Sequence, residues 1–295
     1  MKSRVVSSTL ALLHGHGHGA RYSDPPNLST DKKRWPCRFP IDTGSLVQSG
    51  ALVLNSISTT VTASCEESEV SFNQEHYPQG LNAPFLNSDK DELLNTLGKL
   101  FWDPELRGIV RVARKLILSL GNLKGMSVAD VGAGSGLLLR PLSHAVGTKG
   151  KVYALELSPA FAAFLEDEIQ KEGLANAAVV RTSDASPGLP PASVDLALFC
   201  DVYHHLPRPL TYLRELHRAL RPGGRLVLVE FYRDPRRVRG PPGAPSDWVL
   251  QHVRGDKPDF RYEIESCGFE HVYEVLIDDM HENYILVFQK KEQQE

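Results

Sequence analysis

The side chains of this 295-residue chain that could do chemistry gather at the ends of short apolar runs. The first run, Ser127–Val131, carries Asp130 near its end and is followed by Gly132, Ala133, Gly134 and Gly136. A strand, a glycine turn and a helix set backbone N–H groups and a positive helix end against a bound ligand. Glycine suits such a turn because a Cβ would block either the bend or the ligand's close approach. A second run ends in Glu156, Leu157 and Ser158, and a third in Ser183, Asp184 and Ala185. The fourth ends in the stretch 200–206, CDVYHHL. Histidine can take a proton near neutral pH, so His204 and His205 are candidate catalytic residues there, with Tyr203 and Asp201 beside them. The plain alternative is that one histidine packs against the ligand and the other caps the next helix.

The elements that must hold these residues alternate. Strands are predicted over Ser127–Val131, Lys151–Glu156, Ala178–Thr182, Val194–Cys200 and Arg225–Phe231, with helices over Leu137–Val146, Pro159–Glu172 and Pro209–Leu220. Short apolar strands separated by amphipathic helices mean a parallel, doubly wound sheet. Its ligands lie beyond the carboxyl ends of the strands. After a helix over Asp256–Cys267, strands at His271–Ile277 and Asn283–Gln289 are joined by the short connection Asp278–Asn283 and read as an antiparallel hairpin. Ahead of the sheet, the prolines and glycine of Tyr77–Leu86 suggest an ordered, irregular lead-in. Helices then follow over Lys90–Phe101 and from Asp103–Pro104 to about Leu120. The second has Leu106, Ile109, Val110, Ala113, Leu116, Ile117 and Leu120 on one face.

Taken together, Asp130, the three alternating glycines and Glu156 twenty residues on resemble motif I and its partner strand in the class I S-adenosylmethionine (SAM)-dependent methyltransferases. A dinucleotide fingerprint would place its third glycine at position 137, which is leucine here. The resemblance, closest in style to the methyltransferase type 11 group, runs from about Tyr77 to Phe288. It implies an α/β fold: a doubly wound, mostly parallel seven-stranded sheet finished by a C-terminal antiparallel hairpin. It implies SAM as cofactor, held by Asp130, Gly132, Ala133, Gly134, Gly136, Glu156, Leu157, Asp184, Ala185 and Asp201. In that set Glu156 accepts the ribose hydroxyls and Asp184 the adenine amine. Catalytic roles fall to His204, His205 and Tyr203, and no metal ligands are expected. The implied activity is in-line methyl transfer to an unidentified small-molecule acceptor. A non-catalytic SAM-binding scaffold is the alternative, and an NAD-dependent oxidoreductase a more distant one.

Composition narrows the field. A net charge of −3 gives no global field for nucleic acid, and no apolar run is long enough to span a bilayer. The four cysteines are scattered, which argues against a zinc cage or a disulfide framework. Three segments are expected: 1–70, a disordered or targeting stretch; 71–125, a helical lead-in able to act as a lid; and 126–295, the SAM-binding domain. Residues 1–70 are serine-rich, basic and poor in acids, which fits a mitochondrial or other organellar transit segment. A disordered tail on a cytoplasmic protein fits equally. The run His14–Gly19 could bind metal adventitiously. Arg233, Arg236, Arg237 and Arg239 form either a greeting for an anionic substrate or a solvated basic loop.

Overall fold

Strands whose residues are apolar on both faces demand cover on both sides, and this chain supplies it. The structure, a computed structural model, describes residues 4–5 and 77–292. Apart from residues 4–5, the segment read as a targeting or disordered stretch lies outside them, as does His14–Gly19. The strands are β1 (Arg4–Val5), β2 (Ser127–Val131), β3 (Lys151–Glu156), β4 (Ala177–Arg181), β5 (Val194–Cys200), β6 (Leu220–Phe231), β7 (Phe269–Leu276) and β8 (Asn283–Lys290). They form one sheet in the order β1-β7-β8-β6-β5-β2-β3-β4. The seven expected strands are all present, and the two-residue β1 adds to the edge beside β7. Strands β2 to β6 pair in parallel, whereas β8 runs antiparallel to both β6 and β7. The C-terminal hairpin is therefore real, and it is inserted next to β6.

Helices cover the sheet: α1 (Ala83–Asn87), α2 (Lys90–Leu93), α3 (Gly108–Ser119), α4 (Leu139–Val146), α5 (Pro159–Glu172), α6 (Pro209–Ala219), α7 (Trp248–His252) and α8 (Lys257–Ser266). A π-helical segment, Leu94–Gly98, and a last turn, Lys99–Phe101, continue α2. Alternation along the strands sorts the core into two layers. Leu196 and Leu198 of β5 join Val227 and Val229 of β6 beneath Ile109, Val112 and Leu116 of α3. Ala197 and Phe199, with Leu226 and Leu228, face Leu213 and Leu216 of α6 and Phe260 of α8.

Helix ends follow local chemistry. The Ser158 hydroxyl accepts from the Phe161 N–H, and Gly173 closes α5 at φ 63°. Asp256 and Asp259 cap α8 reciprocally. Four boundaries depart from the sequence reading by two residues or more, one of them the start of β7 at Phe269 rather than His271. Helix α3 starts at Gly108 rather than at Asp103–Pro104, because Arg107 lies in extended backbone at φ −133°. Helix α4 starts two residues late, at Leu139, after the glycine turn has run its course. Strand β6 begins at Leu220 rather than Arg225, with Leu220 pairing with Val194 across a register shift. Helix α7 and the short α1 went unread.

The chain leaves β2 toward β3 and β4, then returns to β5 on its other side. That reversal opens a crevice at the carboxyl ends of β2 and β5, where ligands of such sheets bind.

Candidate active site

The crevice is a cavity of about 610 Å³ lined from the strand ends below and by Asn82, Phe85, Phe101 and Trp248 from the lead-in and α7. That volume is in the ordinary range for a small-molecule or cofactor pocket. Asp130, Gly132, Ala133, Gly134, Glu156, Leu157, Asp184, Asp201, His204 and His205 all line it. Three other nominated residues do not. Gly136, at φ 77°, serves the turn, where a Cβ would meet Leu165 Cδ2 at 3.0 Å. Ala185 sits in the turn after β4, its N–H 3.3 Å from Ser183 Oγ. Tyr203 points into the core, and its hydroxyl donates to Glu263 at 2.7 Å.

At one end the glycine turn and β3 are sewn together. The N–H groups of Gly132 and Ala133 donate to Leu155 O at 2.8 and 3.0 Å. Both oxygens of Glu156 are engaged, one by the Gly134 N–H at 2.8 Å and the other by the Ser158 N–H at 2.7 Å. Burial pushes the Glu156 carboxyl up and these donors pull it down. Acceptor capacity beyond these donors remains on the carboxylate for a ligand's hydroxyls. Gly132, at φ 66°, passes so close to Val202 that a Cβ would lie 2.3 Å from its Cγ2. Gly134, at φ 52°, has no atom nearer than 3.8 Å to such a Cβ, so the missing side chain leaves room on the cavity side. Asp130 is 3% exposed, and its carboxyl has no hydrogen-bond or ionic partner among the described residues. Burial, with the charge of Glu156 adding to it, pushes that carboxyl up to about 7.

The other end is built on a three-residue 3₁₀ turn, Tyr203–His205, after β5. Asp201 enters it at φ 52°, held by Arg107 at 2.6 Å and by the Asn283 amide. His204 Nδ1 lies 2.9 Å from both carboxylate oxygens of Glu230 at the end of β6. His205 Nδ1 lies 2.9 Å from Asn82 Oδ1. His252 stacks on Trp248 with ring centroids 4.1 Å apart. Sequence reasoning passed over Arg107, Glu230, His252 and Asn82. Glu230 had a signal, since it ends a strand like the other nominated acids. His252 had one in its i, i+4 spacing from Trp248. The arginine loop divides. Arg233 donates to Leu250 O and Val253 O, Arg236 pairs with Asp234, and Arg237 donates to His281 O. Arg239 alone of the four lines the cavity.

Residues 129–228, from the first glycine turn to β6, match the family described as a methyltransferase domain. A SAM-dependent methyltransferase of Aquifex aeolicus superposes with a TM-score of 0.52 at 25% identity, over 59% of this chain and 87% of that one. Over this segment the chain carries a SAM-dependent methyltransferase domain, similar to those of the class I enzymes. Among curated relatives of this methyltransferase, a demethylmenaquinone methyltransferase of Lactococcus lactis is 29% identical over 116 residues, 39% of this chain and 46% of that protein. A ubiquinone/menaquinone biosynthesis C-methyltransferase of Bordetella avium is 25% identical over 59% of this chain and 69% of that protein. The chain thus spans about half the length of several curated relatives it matches.

The residues present fit SAM, the cofactor of the family. A buried carboxyl without a partner, beside a glycine with open space over it, suits the cationic methionine end. Glu156, with free acceptor sites, suits the ribose, and Asp184 lies along the same wall. No helix among the described residues is long and apolar enough to cross a membrane.

Proposed function

We propose that this methyltransferase moves a methyl group from SAM to a small-molecule acceptor with a largely apolar body. The observation that carries the reading is the partnerless buried Asp130, which faces the same cavity as the histidine turn. When bound, SAM supplies a methyl group already activated as a sulfonium, so the protein's main task is alignment. Asp130 would hold the ammonium, Gly134 would give the methionine end room, and Glu156 would hold the ribose. Phe85, Phe101 and Leu157 exclude water from the cavity walls. At the far end His204 and His205 stand where the acceptor enters, each fixed through Nδ1. Quinone-type rings, the class named in the two curated relatives, suit such walls in size and polarity. Calorimetry with SAM and S-adenosylhomocysteine, followed by incubation with methyl-labelled SAM and a metabolite extract, tests the reading. Binding of both nucleosides and label in a small organic product are expected. Absence of SAM binding rejects the proposal, and SAM binding without any labelled product supports the scaffold alternative.

Asp130 makes the binding pH-dependent. Its carboxyl, raised to about 7 in the free protein, becomes the carboxylate when a cation lies beside it. Binding therefore releases a proton below that value, and SAM affinity rises as the pH goes from about 6 to about 8. Calorimetry in two buffers of different ionisation heat should count about half a proton released at pH 7. An affinity flat across that window would remove Asp130 as the cation's partner. The sign for stability is opposite. A carboxyl raised in the native state contributes fully below its unfolded value of about 4, and that contribution is lost as the pH rises through 7.

A further inference from the structure

Histidines 204, 205 and 252 come from two separate elements, yet each offers a ring nitrogen and all three nitrogens lie within 4.8 Å of one another. Their rings touch, with centroids 4.3, 4.9 and 5.2 Å apart. Hydrogen bonding sets the tautomers. Glu230 accepts the backbone N–H groups of His204 and Phe231, so it presents an acceptor to His204 Nδ1, and the ring proton belongs on that nitrogen. Nε2 is left as a lone pair, and it is buried without a hydrogen-bond partner. Asn82 donates through Nδ2 to His205 O at 3.0 Å, which turns its oxygen toward His205 Nδ1. That ring too is protonated on Nδ1 and bare on Nε2.

A carboxylate or amide oxygen behind each imidazole, with the far nitrogen bare, is how proteins orient histidine for a metal ion. Packing alone would leave His204 Nε2 facing no donor. We propose that His204, His205 and His252 form a three-nitrogen site for a divalent transition-metal ion, open to the acceptor end of the cavity. Imidazole donors select zinc, iron, nickel and copper rather than magnesium or calcium. Zinc–nitrogen bonds of about 2.1 Å place tetrahedral ligands about 3.4 Å apart, so side-chain rotation of about an ångström closes the triangle. Burial lowers all three imidazoles below the ordinary histidine value, with Arg254 and Arg107 adding to it at His204 and the neighbouring imidazoles at His205 and His252, and the neutral ring is the ligating form. The sequence reading names no metal ligand, and histidines that meet only in the fold leave no spacing in the sequence that would show such a site. A bound ion would fix an oxygen, nitrogen or sulfur atom of the acceptor; that role rests on the methyl-transfer reading, whereas the binding does not.

The full chain, stripped with chelator and titrated with zinc and with cobalt(II), tests the site. Stoichiometry near one and a cobalt ligand-field spectrum of nitrogen ligation are expected. A variant with His14, His16 and His18 replaced by serine should bind as wild type does, which separates the site from the histidine-glycine run. His252→Ala should weaken zinc at least about tenfold, and Glu230→Gln, acting behind His204, about ten- to a hundredfold. Thermal melting without metal shows that both variants are folded. Binding that survives His204→Ala and His252→Ala, or that vanishes in the serine variant, overturns the proposal. A metal site without methyl transfer would sink the acceptor role and leave the site standing.

Discussion

Arginine in place of Gly134 abolishes SAM binding and leaves the protein folded. Gly134 sits at φ 52°, and a Cβ there meets nothing nearer than Phe101 at 3.8 Å, so the new side chain has space. Its backbone strain is about 1–2 kcal/mol, well within the stability of a domain. The space it takes is the cofactor's. The guanidinium enters beside Asp130 and Glu156, both buried acids, and supplies in cis the cation that Asp130 lacks. Loss of SAM affinity by at least about a thousandfold is expected, equivalent to about 4 kcal/mol. Calorimetry measures the affinity and thermal melting the fold. Gly132 makes a poorer test. There even alanine would press to 2.3 Å on Val202, and lost binding would not be separable from lost structure. Affinity within tenfold of wild type in Gly134→Arg would show that the methionine end lies elsewhere.

The sheet was legible because its signals are local. Strands β2, β3 and β5 lie between turn residues, carry apolar side chains on both faces, and have the boundaries read from sequence. Glycines at alternate positions announced the cofactor turn for the same reason. What sequence could not show is which of several polar residues at one strand end turns inward. Tyr203, His204 and His205 are consecutive in a 3₁₀ turn, where three residues complete a rotation. Their side chains must diverge by about a third of a turn each, so all three cannot serve one cavity. The structure sends Tyr203 to Glu263 and brings both histidines to the cavity. Asp201 lines the cavity as the sequence reading placed it, and its carboxylate also holds Arg107, 94 positions away. That pairing also explains why α3 starts late, since Arg107 must stay extended to reach. Contacts at such separation leave no periodic trace in a single chain.

Alanine in place of Glu263 is expected to destabilise the fold by about 3–5 kcal/mol. Glu263 binds Arg254 through two parallel bonds of 2.6 and 2.8 Å, and the two side chains are only 2% and 1% exposed. The guanidinium lies against the rings of Tyr203 and Phe260. Without the carboxylate it stays charged, because arginine does not lose its proton in proteins, and water cannot reach it. The Tyr203 hydroxyl loses its acceptor at the same time. A loss of this size is a large part of the about 5–15 kcal/mol that holds a typical domain together. Denaturant unfolding should show a lower midpoint with an unchanged slope. Replacing both partners, as in Arg254→Met with Glu263→Leu, removes the charge as well as its partner and should cost far less than Glu263→Ala alone. The loss also reaches the site, since Tyr203 anchors the turn that carries His204 and His205. In the folded fraction of Glu263→Ala, metal affinity at the three histidines should therefore fall along with stability. A destabilisation below about 1 kcal/mol would mean that the pair behaves as a solvated surface bridge, and the anchoring role of Tyr203 would fall with it.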